Sequence, residues 1–391
     1  MTAHRRSGSI DQLLAAHEIV IACGSGGVGK TTTAAAAAGM AAVRQGGKVL
    51  VLTVDPAKRL ADALGVGPFG NVATRVPDEA FAGAGVKPRG QLWAAMLDTK
   101  QSWDSLVRRH APDPETAGRI LANPLYQNIT GRFVQAHDYI AVERLYELHL
   151  DGTFDLIVVD TPPTRNALDF LDAPARMADF FSSRLLRLLT VPYKSRIVNL
   201  ASKPFYQVAD RILGTQFLQD IAEFFILLQT MAPGFVERAE AVSRLLHDRR
   251  TTFVVVTTLE AAPAREAQFF IEVLGARKFH LGAVVLNKVL PDYLRDVGGA
   301  SAKVASRIEA RSTETAAELV PVLGCDVPAQ LQRVLTEVAE NFLRFQLVAQ
   351  REAEQQADLG RVPEVVVSVP YFDHDIYDLT GLLTLGAMIW G

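Results

Sequence analysis

The chain reads as an α/β protein, a doubly wound parallel sheet with an α-helical subdomain inserted into it. Three observations predict this. Almost wholly apolar, β-branched runs recur along the sequence, as strands covered on both faces require. Helical stretches separate those runs, the pattern of parallel strands joined by crossovers. Two further helical stretches, 100–150 and 175–248, are surplus to a minimal sheet of this kind.

Glu18-Ile19-Val20-Ile21-Ala22-Cys23 reads as the first buried strand. The glycine-rich loop Gly24-Ser25-Gly26-Gly27-Val28-Gly29-Lys30-Thr31 follows it, and Thr32, Thr33 and the run Ala34 to Ala38 read as a helix start. Further strands are expected at Lys48–Val54, Phe154–Asp160, Thr252–Thr257 and Leu281–Asn287, and Val365–Val369 closes the series before Pro370. The surplus stretches carry aromatics and leucines at three- and four-residue spacing: Phe180, Phe181, Leu185, Leu186 and Leu189, then Phe217, Ile221, Phe224, Phe225 and Leu228. Such residues either pack the subdomain's own core or line a groove for an apolar client helix. The charged segment 351–364 reads as a solvated helix end and loop. The apolar tail 378–391 has no Lys or Arg and reads as a packed terminal helix rather than a lipid anchor. The organisation expected is a single domain over 15–391, helical at 100–150 and 175–248, after an N-terminal extension at 1–14.

Composition narrows the class. At 49% apolar and 21% charged residues the chain is globular. Its formal charge of −3 supplies no global pull toward nucleic acid or anionic lipid. The two cysteines, Cys23 and Cys325, make no disulfide framework and no C-x-x-C site, which suits a reducing cytoplasm. Arg5-Arg6 leads into polar residues rather than an apolar signal core, and no run reaches the ~18 apolar residues that span a bilayer. A cytoplasmic location is expected, with no integral membrane segment and at most peripheral membrane contact.

The glycine loop spells G-x-x-x-x-G-K-[ST], and its setting between strand and helix makes it a phosphate site. Gly26, Gly27, Val28 and Gly29 would curl the backbone so that N–H groups face an anion at a helix N-terminus, continued by Thr32. Lys30 would reach the β- and γ-phosphates, and the Thr31 hydroxyl would ligate Mg²⁺. Asp55 and Asp160 each end an apolar strand, at the sheet edge where ligands collect in open α/β folds. A carboxylate there is costly unless it meets metal or donors. Both acids are expected to meet Mg²⁺ and its waters: Asp160 reads as the acid holding Thr31 or a metal water, and Asp55 as the group that orients or deprotonates the attacking water. The P-loop NTPase type of sheet follows.

These motifs resemble the ArsA/GET family of deviant-Walker ATPases, which includes arsenical-pump ATPases and targeting factors for tail-anchored membrane proteins. The glycine loop, Asp55-Pro56-Ala57, Asp160-Thr161-Pro162-Pro163-Thr164, Asn287 and Pro370-Tyr371-Phe372 match in order, over about residues 15–385. The resemblance implies ATP and ADP as ligands with Mg²⁺, a nucleotide-dependent dimer, adenine reading by Asn287, and a base-flanking loop at Pro370 to Phe372. The sequence departs from the family at Ser25, where members carry a lysine that crosses the dimer to the partner's phosphates. It also has Arg165-Asn166-Ala167 in place of Gly-His-Thr, and lacks both the paired zinc cysteines and the metalloid thiols. In this it is most similar to the lysine-lacking B subunit (BagB-like) of paired actinobacterial ATPases. A heterodimer with a lysine-bearing paralogue is therefore expected; Lys58, Arg59 or Arg165 replacing the lysine in a homodimer is the alternative. Two other functions stay open: an ATP-binding scaffold with little turnover, favoured by Ser25, and a positioning ATPase of the ParA/MinD type, disfavoured by the helical insert.

Overall fold

A computed structural model of the chain describes residues 9–54, 58–67, 70–130, 134–162, 167–182, 215–324, 327–361, 363–372 and 375–390. The described strands are β1 (Ile19–Cys23), β2 (Lys48–Thr53), β3 (Thr74–Arg75), β4 (Gln91–Met96), β5 (Leu156–Asp160), β6 (Thr251–Thr257), β7 (Leu281–Val289) and β8 (Val365–Pro370). They form one sheet in the order β3-β4-β2-β5-β1-β6-β7-β8. All neighbouring pairs are parallel except the antiparallel β3–β4 edge. This is the expected doubly wound fold, extended by β3 and β4, which the apolar runs did not announce.

The helices are α1 (Ile10–Ala16), α2 (Lys30–Arg44), α3 (Lys58–Leu64), α4 (Asp78–Gly83), α5 (Thr99–His110), α6 (Pro114–Ala122), α7 (Pro124–Thr130), α8 (Val134–Asp151), α9 (Ala167–Ser182), α10 (Thr215–Thr230), α11 (Ala232–Leu246), α12 (Ala261–Ala276), α13 (Ala300–Ala310), α14 (Ser312–Leu323), α15 (Pro328–Leu359) and α16 (Leu379–Trp390). Strand residues alternate between two cores, one on each face of the sheet. Val20, Val51, Val158 and Val256 face α2 and α16. Ile21, Leu52, Val159 and Val255 face the opposite layer, which includes Trp103, Tyr139 and Phe235 of the helical region. The alanine run of α2 lets that helix lie close between sheet and α16, with Met40 against Gly386. Leu382, Leu383, Leu385 and Ile389 of α16 are buried, so the tail is a packed helix.

Two local differences from the sequence reading are informative. Residues 10–14, assigned to an extension, lie in α1, where a Ser9–Gln12 capping box starts the helix and Ile10, Leu13 and Leu14 are buried. Within 351–364 the helix α15 runs on to Leu359, and Glu352 and Leu359 are buried rather than solvated. In the helical region Phe181, Phe224 and Leu228 are buried while Phe180 is exposed. Phe181 stacks on Phe235 at 4.6 Å, and Glu143 meets Arg238 in an ion pair of 2.6 Å there. Leu185, Leu186 and Leu189 lie outside the described residues. No described helix is long and apolar enough to cross a membrane.

Candidate nucleotide site

The glycine loop leaves β1 at the centre of the sheet and enters α2 at Lys30. Gly27 (φ +79°) and Gly29 (φ +93°) are both in the left-handed region, which side chains with a Cβ rarely adopt. A Cβ on Gly24 would lie 2.0 Å from the Val256 carbonyl oxygen, and one on Gly29 would lie 2.4 Å from Asn287 Nδ2. The loop backbone thus passes too close to the β6 backbone at Gly24 for another residue, and Gly29 lies against the Asn287 side-chain amide. Gly26 and Gly27 form the exposed crown, Val28 is buried, and Thr32 is half-buried in the first turn of α2.

Lys30 is 7% exposed, and its ammonium donates to the Ser25 carbonyl oxygen at 3.0 Å, so the cation lies back across the loop. The Thr31 hydroxyl donates to Asp160 Oδ2 at 2.6 Å. The parallel register sets Asp160 beside Ala22 of β1 and Thr53 of β2, which brings a strand-end acid to the loop. Thr53 donates to the same oxygen at 3.1 Å. Thr161 fastens the β5 end beneath the loop, its hydroxyl donating to the Ala22 carbonyl at 2.8 Å. The Cys23 thiol is pushed up to about 12 by burial, against the opposing pull of a Thr161 hydrogen bond and the Lys30 charge, and is chemically quiet.

Asn287 stands near the end of β7, and its Nδ2 donates to the Val28 carbonyl at 2.8 Å. Pro370 ends β8 and Tyr371 follows it, both exposed; the Tyr371 N–H donates to Val289 O at 3.1 Å, and Phe372 packs against the α2–α16 core. Asp55, Pro56, Ala57 and Arg165 lie outside the described residues, while Lys58 and Arg59 open α3. Thr53 and Glu352 carry no motif, and only the sheet register and the course of α15 reveal them.

The donor set fits a magnesium nucleotide. Thr31 and Asp160 offer hard oxygen ligands side by side, and the positive-φ glycines leave a backbone cradle open to an anion. Among the described residues no group of three or more His, Cys, Asp or Glu could hold a metal by itself. Magnesium commonly binds through one or two protein ligands, with phosphate oxygens and water completing its shell.

Sheet order, loop and strand-end acid together define an α/β protein of the P-loop NTPase type. The chain belongs to the anion-transporting ATPase (ArsA) family, whose model matches residues 17–316. It is similar to the uncharacterized protein SCO2128 of Streptomyces coelicolor, 30% identical over 69% of this chain and 62% of that protein. It is also similar to ATPase GET3 of Malassezia globosa, 27% identical over 68% of this chain and 71% of that one. An ATPase ASNA1 homolog of Entamoeba dispar is 24% identical over 73% and 82% of the two chains. The match thus spans less than two thirds of the Streptomyces protein.

Proposed function

We propose that this chain is a magnesium-dependent ATPase of the ArsA/GET type, hydrolysing ATP to ADP and phosphate at a dimer interface. The 2.6 Å contact of Thr31 with Asp160, beside the glycine cradle, carries the reading. Lys30 would exchange its Ser25 carbonyl for the β- and γ-phosphates, and the loop amides would hold the phosphate chain. Thr31 and Asp160 would hold magnesium, which when bound neutralises phosphate charge. Asp55 would orient a water whose oxygen bonds the γ-phosphorus as the bond to the β–γ bridging oxygen breaks. Asn287 would read the adenine edge, with Pro370, Tyr371 and Phe372 flanking the base.

Ser25 makes the pair asymmetric: a lysine-bearing paralogue completes this chain's site, and this chain supplies no cation in return. The match to the anion-transporting ATPase family, with the ArsA/GET resemblance of the motifs, supports a membrane-protein targeting or transport-linked role, in the cytoplasm or at a membrane surface, with the helical region taking an apolar client helix. Ser25 also favours a second reading, an ATP-binding scaffold with little turnover. Calorimetry with Mg·ATP tests the site: wild type binds and Lys30→Ala does not. Turnover of the chain alone, with its paralogue, and as Asp55→Asn separates enzyme from scaffold. A scaffold gives the same background rate in all three.

A further inference from the structure

We infer that Asn287 is a positioning residue for the phosphate loop, an inference that rests on reading that loop as a nucleotide site. The contact is with the loop itself: Nδ2 donates to the Val28 carbonyl at 2.8 Å. Val28 lies between two glycines of positive φ, in a stretch without regular secondary structure to fix its peptide planes. In a trans peptide the carbonyl of one residue and the N–H of the next point in opposite directions. Holding the Val28 carbonyl toward Asn287 of β7 therefore turns the Gly29 N–H away from it. The site amide is aimed by a side chain 259 residues away in sequence.

Asn287 is itself held from several sides. Its Oδ1 accepts from the Lys288 N–H at 2.9 Å, and Lys288 itself adopts a left-handed φ of +58°. The strand end beyond it is anchored by buried Glu352 of α15, which accepts from the Leu290 N–H at 3.2 Å. Tyr371, from the loop after β8, donates its N–H to Val289 O on the same strand end. The amide is thus a rigid peg. The close face of Gly29 is shaped to it, because a Cβ at that residue would meet Nδ2 at 2.4 Å. A primary amide has two N–H donors and two acceptor lone pairs. One of each is spent on Val28 and Lys288, and one of each remains to meet a base edge. One side chain then fixes the phosphate cradle and faces the base, so the two halves of a nucleotide are registered against one group.

A base-free probe separates the two duties. Mg·tripolyphosphate carries the phosphate chain and no adenine. Binding of it and of Mg·ATP is measured by calorimetry for wild type, Asn287→Ala and Asn287→Asp. Hydrogen exchange of residues 24–31 is followed without ligand. Loss of one hydrogen bond predicts roughly three- to tenfold weaker tripolyphosphate binding in Asn287→Ala. Asn287→Asp keeps the Lys288 contact and sets an acceptor against the Val28 carbonyl, so it weakens binding further. Both variants exchange faster at 24–31 and not in the far strands β3 and β4. If both bind tripolyphosphate like wild type and exchange at the wild-type rate, while ATP alone weakens, Asn287 only reads the base and the inference is overturned. Circular dichroism verifies folding, and the nearly isosteric aspartate serves where alanine unfolds. Wild-type ATP binding that Lys30→Ala leaves intact would instead overturn the nucleotide-site reading.

Discussion

Replacing Thr53 by valine removes a hydroxyl from a fully buried position and keeps the side-chain volume. That hydroxyl donates to Asp160 Oδ2 at 3.1 Å, beside the shorter Thr31 bond to the same oxygen. Thr53 is 0% exposed, so no water replaces the lost donor. A hydrogen bond to a charged group contributes about 1.5–3 kcal/mol, and valine leaves no cavity to add to the loss. With an unfolding entropy of about 2.1 cal/mol/K per residue over the 391 residues, the melting midpoint falls by roughly 2–4 °C. The larger consequence concerns the metal. Outer partners that orient a ligand typically cost about 10–100-fold in metal affinity when removed. The Mg²⁺ concentration for half-maximal ATP binding should therefore rise by about tenfold in Thr53→Val, while ATP binding in chelator is unchanged. Thr53→Ser keeps the hydroxyl and should keep the wild-type Mg²⁺ dependence. Calorimetric titration at stepped Mg²⁺ measures both. If valine leaves melting and Mg²⁺ dependence unchanged, or serine loses as much as valine, Thr53 does not orient Asp160 and the reasoning fails.

Gly29→Ala combines a left-handed backbone with a collision against Asn287, and should cost about 2–3 kcal/mol in urea unfolding together with most Mg·ATP affinity. Arg238→Ala leaves Glu143, 3% exposed, as an unpaired buried charge and should destabilise by about 3–5 kcal/mol, whereas Arg238→Met with Glu143→Leu should melt within a few degrees of wild type. Asp138 is raised from 3.8 to about 6, chiefly by burial and then by the Asp169 charge, with Arg176 opposing. The folded carboxyl holds its proton more tightly than the unfolded one, so wild-type stability should rise as pH falls from about 6 to about 4. Asp138→Asn should be about 1–3 kcal/mol more stable at pH 8 and lose that slope, which urea unfolding across the range measures.

What the sequence made legible follows from where physics is local. β1, β2, β5, β6, β7 and β8 are apolar on both faces, so their residue types alone mark them. The sixth, β8, alternates buried and exposed but keeps its β-branched run. β4 reads Gln91-Leu92-Trp93-Ala94-Ala95-Met96, with a single aromatic and no β-branched residue, and is a strand because β2 pairs with it. The loop and Asp160 are legible because glycine pattern and strand-end acid are local signals. Thr53 is not, since a threonine in a β-branched run has no visible partner until β2 and β5 are set in register. Glu352 was hidden by the charge around it: burial comes from α15 lying over the end of β7, where the Leu290 N–H needs an acceptor. Asn287 was legible as a strand-end residue, but its contact with Val28 depends on β7 standing one strand from β6 and two from β1.

Ser25 ties this geometry to the question of partnership. Its carbonyl holds the Lys30 ammonium at 3.0 Å, while its hydroxyl is buried without a hydrogen-bond partner. The backbone of residue 25 thus serves Lys30 whatever the side chain. In the dimer proposed above, a lysine at this position would be the cation that acts on the facing subunit. If a cation acting across the interface is what the chain lacks, Ser25→Lys should raise turnover of the chain alone by on the order of 10²-fold, the scale of one well-aimed donor in phosphate or oxyanion chemistry. Because the cation acts on the facing site, the gain should grow with protein concentration until dimerisation saturates. Mixing Ser25→Lys with Lys30→Ala tests the direction. The first supplies the crossing cation and the second a site too damaged to use it, so the mixture should turn over less per Ser25→Lys subunit than that variant alone. A gain independent of protein concentration would mean the new lysine acts on its own site, and a protein that stays inactive at saturating concentration would mean that more than the lysine is missing.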